Sequence, residues 1–384
     1  MTNAGGNEPI YVVDGVITSN MSINMDDVAS VNVLKGPAAT ALYGARGGNG
    51  AIIITSKGGT GEHSEITVSH TLAWDKANIR YDLQNEYGGG YLGADAEMPV
   101  FKYDPNKHPS YLEKMDGVRY YDYNNDASWG PKLDGREYAP WYSWDPTDPR
   151  FGQTTQWTPQ MNLNDLFRTG ISNTTNIAFT KSGKDYMSRI SFSNVSRNGV
   201  TPNSDASRRF LSIKTYFKPI DRLKVSLDYK YTYRNNHNAA AEGYQELGNA
   251  LYSYEQWGHT NVNLKDLKDY KRPDGTFRTW NITSPTNLTA AFHENPFALF
   301  NEINQNETYQ WNVFSGDAEL ELIKNLKAGI RVNGNIRSYK KEVRLPQNIH
   351  GEVSEYTQDQ SQLSDIQTQG RLTWSDHFVD SKLS

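Results

Sequence analysis

Several groups of side chains in this 384-residue sequence are of types that can do chemistry, and each chemistry demands a particular spacing. Asp145 and Asp148 make a carboxylate pair such as a glycosidase uses, but catalysis needs two carboxyls set across a sugar ring, a separation that linear spacing does not supply. Residues 122–126 (DYNND) begin like a calcium loop, yet Ala127 stands where Gly makes the sharp turn and Leu133 where a bidentate Glu completes the ligand set. A solvated loop is therefore expected there. The eight histidines, His63, His70, His108, His237, His259, His293, His350 and His377, show neither H-x-x-x-H nor H-E-x-x-H spacing, so exposed loop or rim positions are expected and no zinc site. No G-x-S-x-G surrounds a nucleophilic serine, and with no Cys there is neither a disulfide framework nor a thiolate nucleophile. Catalytic residues, metal ligands and cofactors are accordingly all assigned as none.

Gly44, Gly47, Gly48 and Gly50 raise the further possibility of a phosphate-cradling turn. Neither G-x-G-x-x-G nor G-x-x-x-x-G-K-[ST] is spelled, and these glycines follow a helix-forming run, whereas a phosphate loop precedes its helix. Residues 27–57 read instead as strand, turn, short helix, loop, strand. Val31, Val33 and Leu34 make a short apolar strand that Gly36 and Pro37 break, and Pro37 fits the first helical turn, where its missing N–H costs nothing. Ala38, Ala39, Ala41 and Leu42 favour helix up to Tyr43. The glycines then permit positive φ or close backbone approach, and Ile52, Ile53 and Ile54 are expected to form a fully buried strand.

That string resembles the closing segment of the plug domain of TonB-dependent outer-membrane transporters, and more narrowly the SusC/RagA family, in which a strand reading roughly IEVLKG leads into ATALYGSRGANGVILITTK. The matching residues are 31–36, 39–49 and 52–57, with residues 9–16 (PIYVVDGV) matching an upstream plug strand. Gly36, Pro37, Tyr43, Gly44, Arg46, Gly47 and Gly50 are the motif positions. Residues 128–135 (SWGPKLDG), 165–170 (DLFRTG) and 199–205 (GVTPNSD) extend the resemblance, which covers residues 9–334. It implies a mainly β fold: residues 1–58 as the C-terminal part of an α/β plug domain, and residues 59–384 as the first strands of a large antiparallel transmembrane β-barrel with long extracellular loops. It further implies the outer membrane of a Gram-negative bacterium, import of oligosaccharides or peptides, energy supplied through TonB, and a SusD-like surface lipoprotein as partner. The family's TonB-contacting segment has no match in this sequence, and the candidate strands are far fewer than the 22 of a plugged transporter. The resemblance therefore reads as an internal fragment with an open sheet.

Composition agrees with a barrel without requiring one. Mean hydropathy is -0.73, and only 36% of residues are hydrophobic although the chain holds 24 Tyr, 9 Trp and 13 Phe. Amphipathic barrels combine polarity and aromatics in this way, because alternate strand positions face a polar lumen and aromatics mark both membrane interfaces. No apolar run approaches the roughly 20 residues of a membrane helix, and residues 1–10 have no signal-peptide pattern. A net charge of -5 makes nucleic acid an improbable partner.

Period-2 alternation marks eight strands, at residues 65–74, 171–180, 186–194, 209–218, 223–233, 312–322, 326–336 and 366–374. In the clearest, Leu223, Val225 and Leu227 are expected to face lipid, and Lys224, Asp228 and Lys230 the lumen. In residues 312–322, Trp311 and Val313 are out of phase with Phe314, Ala318, Leu320 and Leu322, so a bulge is expected. Residues 58–61 are expected to be a flexible joint. Short connections (182–185, 219–222, 324–325) alternate with long polar ones (76–169, 195–207, 235–307, 341–363), as when turns lie at one rim of a barrel and loops at the other. The long loops hold Trp129, Trp141, Tyr142, Trp144, Trp257 and Trp280, whose flat faces suit sugar rings but serve equally well to pack a loop. A secreted or surface β-rich carbohydrate-binding or adhesion protein without transport activity is the alternative.

Overall fold

The computed structural model describes residues 8–18, 23–91, 93, 96–239 and 249–375. The first of these build a small mixed sheet from β1 (Ile10–Val13), β2 (Val16–Thr18), β3 (Val28–Leu34) and β4 (Ala51–Ser56), with α1 (Gly36–Tyr43) between the last two. The strand order is β2-β1-β4-β3; β1 and β4 are parallel and the other neighbours antiparallel. Asp14 and Gly15 turn β1 into β2 with φ of 48° and 88°, the double positive φ of a type I′ hairpin whose twist matches the strands it joins. The helix and closing strand lie where the alanines and isoleucines place them, with Gly36 added at the helix start. β4 is less buried than expected, however: Ala51 and Ile54 are buried while Ile52 and Ile53 are half-buried. One eight-residue helix and four short strands are too thin a layer to cover both faces.

The rest of the described chain is organised by one antiparallel sheet of eight strands, called here the wall. It comprises β5 (His63–Asp75), β8 (Gly170–Ser182), β9 (Tyr186–Asn198), β10 (Asp205–Ile220), β11 (Leu223–His237), β14 (Asn304–Ile323), β15 (Leu326–Leu345) and β16 (Glu355–Trp374), in that spatial order. β5 and β16 are its edges and do not pair with each other, so the sheet is open. All eight strands lie where alternation placed them, but most are longer. Residues 195–207 and 341–363, expected as long loops, are largely strand and leave only 199–204 and 346–354 as connections. Past the apolar band both faces of a strand meet water, so apolar–polar alternation no longer marks it. Residues 376–384, including the end judged to lack a closing strand, lie outside the described residues.

The expected bulge is absent. β14 pairs with β11 in unbroken register from Asn306 to Leu320, and its shift against β15 falls only at Glu321/Ile323, beside the turn. Trp311 and Val313 share the inward parity of Asp317 and are each 3% exposed. The inner face simply carries apolar side chains at that height, which a polar-lumen assumption misreads as a phase error. Neither is residues 58–61 a free joint, because Gly59 lies so close to the wall that a Cβ would come within 2.7 Å of Ser182 Oγ.

At the rim opposite the tight turns, residues 76–169 and 238–303 fold together into a loop domain. It contains two small hairpins, β6 (Glu137–Tyr138) with β7 (Thr155–Gln156) and β12 (Ile282–Ser284) with β13 (Asn287–Ala290), and two short helices, α2 (Ala250–Trp257) and α3 (Pro296–Glu302). Its interior is an apolar cluster in which Tyr121, Tyr123, Tyr138, Trp144, Trp157, Tyr254 and Trp280 are almost wholly buried.

Candidate functional site

The small unit sits on the inner face of the wall, and the contacts that seat it are nearly all polar. Asp14, at the tip of the β1–β2 hairpin, accepts hydrogen bonds from Lys214 Nζ (2.9 Å) and the Ser56 N–H (3.0 Å) on Oδ1, and from Lys230 Nζ (2.6 Å) on Oδ2. Lys230 also contacts Asp228 of its own strand, and Lys214 Nζ donates to Ser56 O at 3.2 Å. Burial works to raise the Asp14 carboxyl, but the Lys230 and Lys214 ammonium groups and the Ser56 N–H together outweigh it and hold the group well below the usual carboxylate range. Asp27, buried at the start of β3, takes Arg189 Nη2 at 3.1 Å and the Ser191 hydroxyl at 2.7 Å. Asn24 Nδ2 donates to Ser193 Oγ at 2.9 Å, and Asn335 Nδ2 to the Ile17 carbonyl at 3.0 Å. The faces assigned to β11 are thus correct: Lys230 meets the small unit, while Leu227 lies exposed on the outside.

The motif residues shape the unit. Gly36 and Pro37 open α1 and Tyr43 ends it, with Gly44 at its C-cap at φ 60°. Gly47 passes so close to the helix that a Cβ would stand 2.5 Å from the Ala39 carbonyl oxygen, and Gly50 (φ 98°) turns the chain into β4. Arg46 alone reaches the wall, pairing with Asp365 of β16 at 3.1 Å across an exposed gap. Cavities remain beside the unit, two of them sizeable. One, of about 440 Å³, lies between Asp14 and the Asp317, Arg331 and Arg371 network, and another, of about 380 Å³, between Ile17, Arg46 and Arg337.

Four of the six loop aromatics prove to be packing. Trp141, Tyr142, Trp144 and Trp280 are at most 9% exposed, and Trp144 Nε1 donates to Tyr123 Oη at 2.7 Å, which itself donates to the Ala139 carbonyl at 2.5 Å. Trp129 is 58% exposed, tilted against Tyr87 with ring centroids 4.8 Å apart. Trp257 is half-buried and stacks on His293, whose other face meets Trp280. Residues 87–91 and 128–132 cross backbone to backbone, a Cβ at Gly130 falling 2.2 Å from the Gly89 carbonyl oxygen, so the crossing requires glycine at 130.

The carboxylate pair is likewise structural. Asp145 binds Arg272 Nε at 2.7 Å and Arg278 Nε at 3.1 Å, and Asp148 binds Arg150, which also pairs with Asp266 at 2.7 Å. Burial opposes ionisation of Asp145, yet bonds from Thr147 and Arg272 hold it below the ordinary range. Nor is every histidine exposed. His259 is wholly buried, with Tyr121 Oη 3.0 Å from Nδ1 and the Asn125 carbonyl 2.8 Å from Nε2, and burial pushes it down to about 4.

Sequence reading missed the residues that pin the loop domain: Asn281 donates to the Tyr123 and Asn125 carbonyls, and Asn295 to those of Leu267 and Arg278. It missed Asp14 and Asp27 as seating groups too. A signal existed for Asp14, whose Asp-Gly pair marks a hairpin tip between two apolar strands.

No family model matches the chain. Over 356 residues it is 25% identical to the TonB-dependent receptor SusC of Bacteroides thetaiotaomicron, covering 86% of this chain and 29% of that protein. A 64-residue stretch is 41% identical to the TonB-dependent receptor P26 of Formosa agariphila, covering 16% of this chain and 6% of that protein. Among solved structures, the RagAB peptide transporter superposes with a TM-score of 0.63 at 16% identity, over 97% of this chain and 40% of that one. The RagAB peptide importer in its closed-closed state gives 0.59 at 18% identity, over 94% and 38%. The open antiparallel wall has the fold of part of the β-barrel in these structures. In sequence the chain is similar to the SusC receptor, and in fold to the RagAB structures. Its relatives are receptors and transporters, not enzymes, and it spans less than a third of the length of the curated SusC protein.

Proposed function

We propose that this chain is part of a TonB-dependent outer-membrane importer of nutrients, with residues 1–58 as plug and residues 59–384 as barrel wall and extracellular loops. The observation that carries this reading is the seat of the small unit: it rests inside the sheet on charged and hydrogen-bonded contacts that water can replace, as a plug that must yield to cargo requires. The exposed outer row of Leu227, Ile190, Phe192, Ile177 and Phe179 suits lipid of the outer membrane of a Gram-negative bacterium. A secreted adhesin would have no use for a unit seated within its sheet.

The cargo is an oligosaccharide or a peptide, a SusD-like lipoprotein closes over the loop domain, and TonB supplies the energy. The exposure of Trp129 and the half-burial of Trp257 support these two as the loop aromatics that touch cargo. Deleting the gene in its source bacterium and following labelled oligosaccharide and peptide uptake tests this directly. Loss of saturable uptake of one class, restored by the intact gene, is expected; unchanged uptake of both would sink the proposal.

A further inference from the structure

On the inner face of the wall, one step further from the tight turns than the contacts that seat the small unit, the strand register brings together groups that the seating contacts do not use. Arg208 of β10 lies directly opposite Arg234 of β11, which lies opposite Tyr309 of β14, itself opposite Tyr339 of β15. In the adjacent row Trp311 faces Arg337. The aromatic rings form a continuous surface: Tyr309 stacks on Trp311 at 5.3 Å with planes 4° apart and meets Tyr339 at 4.6 Å, and the Arg234 guanidinium lies 5.6 Å from the Tyr309 centroid.

Arg208 and Arg234 are like charges directly opposite each other across the ladder, an arrangement that is destabilising. Among the described residues, Asp75 pairs with Arg197 and Glu307 with Lys341 while accepting from Tyr339. Among the described residues no ion pair forms to Arg208 or Arg337, and both side chains are exposed to the interior. Guanidinium groups beside flat aromatic faces suit a ligand that joins an oxyanion to a ring or planar backbone, because the fork matches a carboxylate bidentately while the rings stack.

We infer that this arginine–aromatic row is a binding site for a carboxylate borne by the imported molecule, with Arg208 and Arg337 as its anion contacts and Tyr309 and Tyr339 as its stacking floor. The inference rests on the import reading for its cargo, but binding can be measured without transport. Two sources could supply the carboxylate, a uronate sugar or a peptide C-terminus, and two matched pairs of probes separate them. These are a glucuronate-containing tetrasaccharide against its carboxyl-reduced form, and a pentapeptide with a free against an amidated C-terminus.

With the full-length protein purified in detergent, one acidic member should bind at least tenfold more tightly than its neutral twin. Arg208→Gln should abolish that preference while leaving the neutral twin's affinity unchanged and the thermal midpoint no lower, since it removes one of two facing like charges. Arg208→Lys should restore part of the preference, since it keeps the charge and loses the fork. Should Arg208→Gln unfold the protein, Arg337→Gln provides the same reading from the next row. Equal affinity within both pairs, or a preference that survives both Gln variants, would overturn the site. If the preference is found but the deletion strain imports both cargo classes normally, the import reading fails and the binding site stands.

Discussion

The seat of the small unit and the interior of the loop domain are held together by opposite means. The small unit is seated by Asp14, Asp27, Asn24 and Arg46 against Lys, Arg, Ser and Asp side chains, with cavities of several hundred Å³ left alongside. The loop domain is close-packed, its aromatic rings in mutual contact and its Asp145–Arg278 pair buried. A charged contact gives up little when water replaces its partner, because net hydrogen-bond energies are small. A buried indole forfeits its whole packing when removed. The first arrangement suits a joint that opens; the second suits a scaffold that persists.

The sharpest way to break this comparison is at Trp144, which is wholly buried. Trp144→Ala should cost the loop domain about 3–5 kcal/mol, read as early proteolysis of residues 76–169 in rising urea, with the wall unaffected. If the loop domain survives unchanged, its core is not what holds it.

Acid should separate the two regions next. Buried His259 stays neutral in the fold down to about 4, whereas in the unfolded chain it takes up a proton below 6.5. Between those values the unfolded state binds more protons, so stability is complete above pH 6.5 and is lost progressively as the pH falls, by about 3 kcal/mol in all. His259→Gln should flatten that dependence in a pH series of urea midpoints. Asp14 behaves in the other sense. Its folded carboxyl is held low, so its contribution is complete above an unfolded value of about 3.9 and declines only at lower pH. From pH 6.5 to 4 the loop domain should weaken while the seat holds.

Asp14→Asn should be milder, about 1–3 kcal/mol, because Lys230 keeps Asp228. Faster hydrogen exchange confined to β1, β2 and β4 would report it; global destabilisation would show that the seat is part of the wall's own stability. Smallest of all, Trp129→Ala at an exposed site should change stability by no more than about 0.5 kcal/mol. A large shift in melting temperature would mean that Trp129 is packing after all.

How much of this was legible in the sequence follows the same division. The eight wall strands and the small unit could be read because alternation and glycine placement are local. Leu223, Val225 and Leu227 against Lys224, Asp228 and Lys230 sort correctly because the period of two needs no tertiary knowledge. Trp311 and Val313 did not, since their burial comes from what lies across the inner face. The loop domain was the least legible part. In the string Asp145 is one of a carboxylate pair with no assigned role, and only the fold encloses it with Arg272 and Arg278, over a hundred residues away; His259 reads as a loop or rim residue, yet is buried beside Tyr121. Asn281 and Asn295 look like ordinary loop residues in a string, and only long-range backbone partners distinguish them.

The position of β1 has a mechanical consequence. It lies between β2 and β4 and runs parallel to β4, whose far end continues through residues 57–62 into β5 of the wall. Tension applied at Pro9 along β1 therefore pulls its leading end against the trailing end of β4, and the hydrogen bonds between them are loaded together, in shear. The contacts around the unit are spread over β9, β10, β11, β15 and β16 and are loaded one after another. Bonds that share a load outlast bonds that meet it singly. Under force the perimeter gives way first, and the small sheet leaves its seat as a rigid body before it unravels.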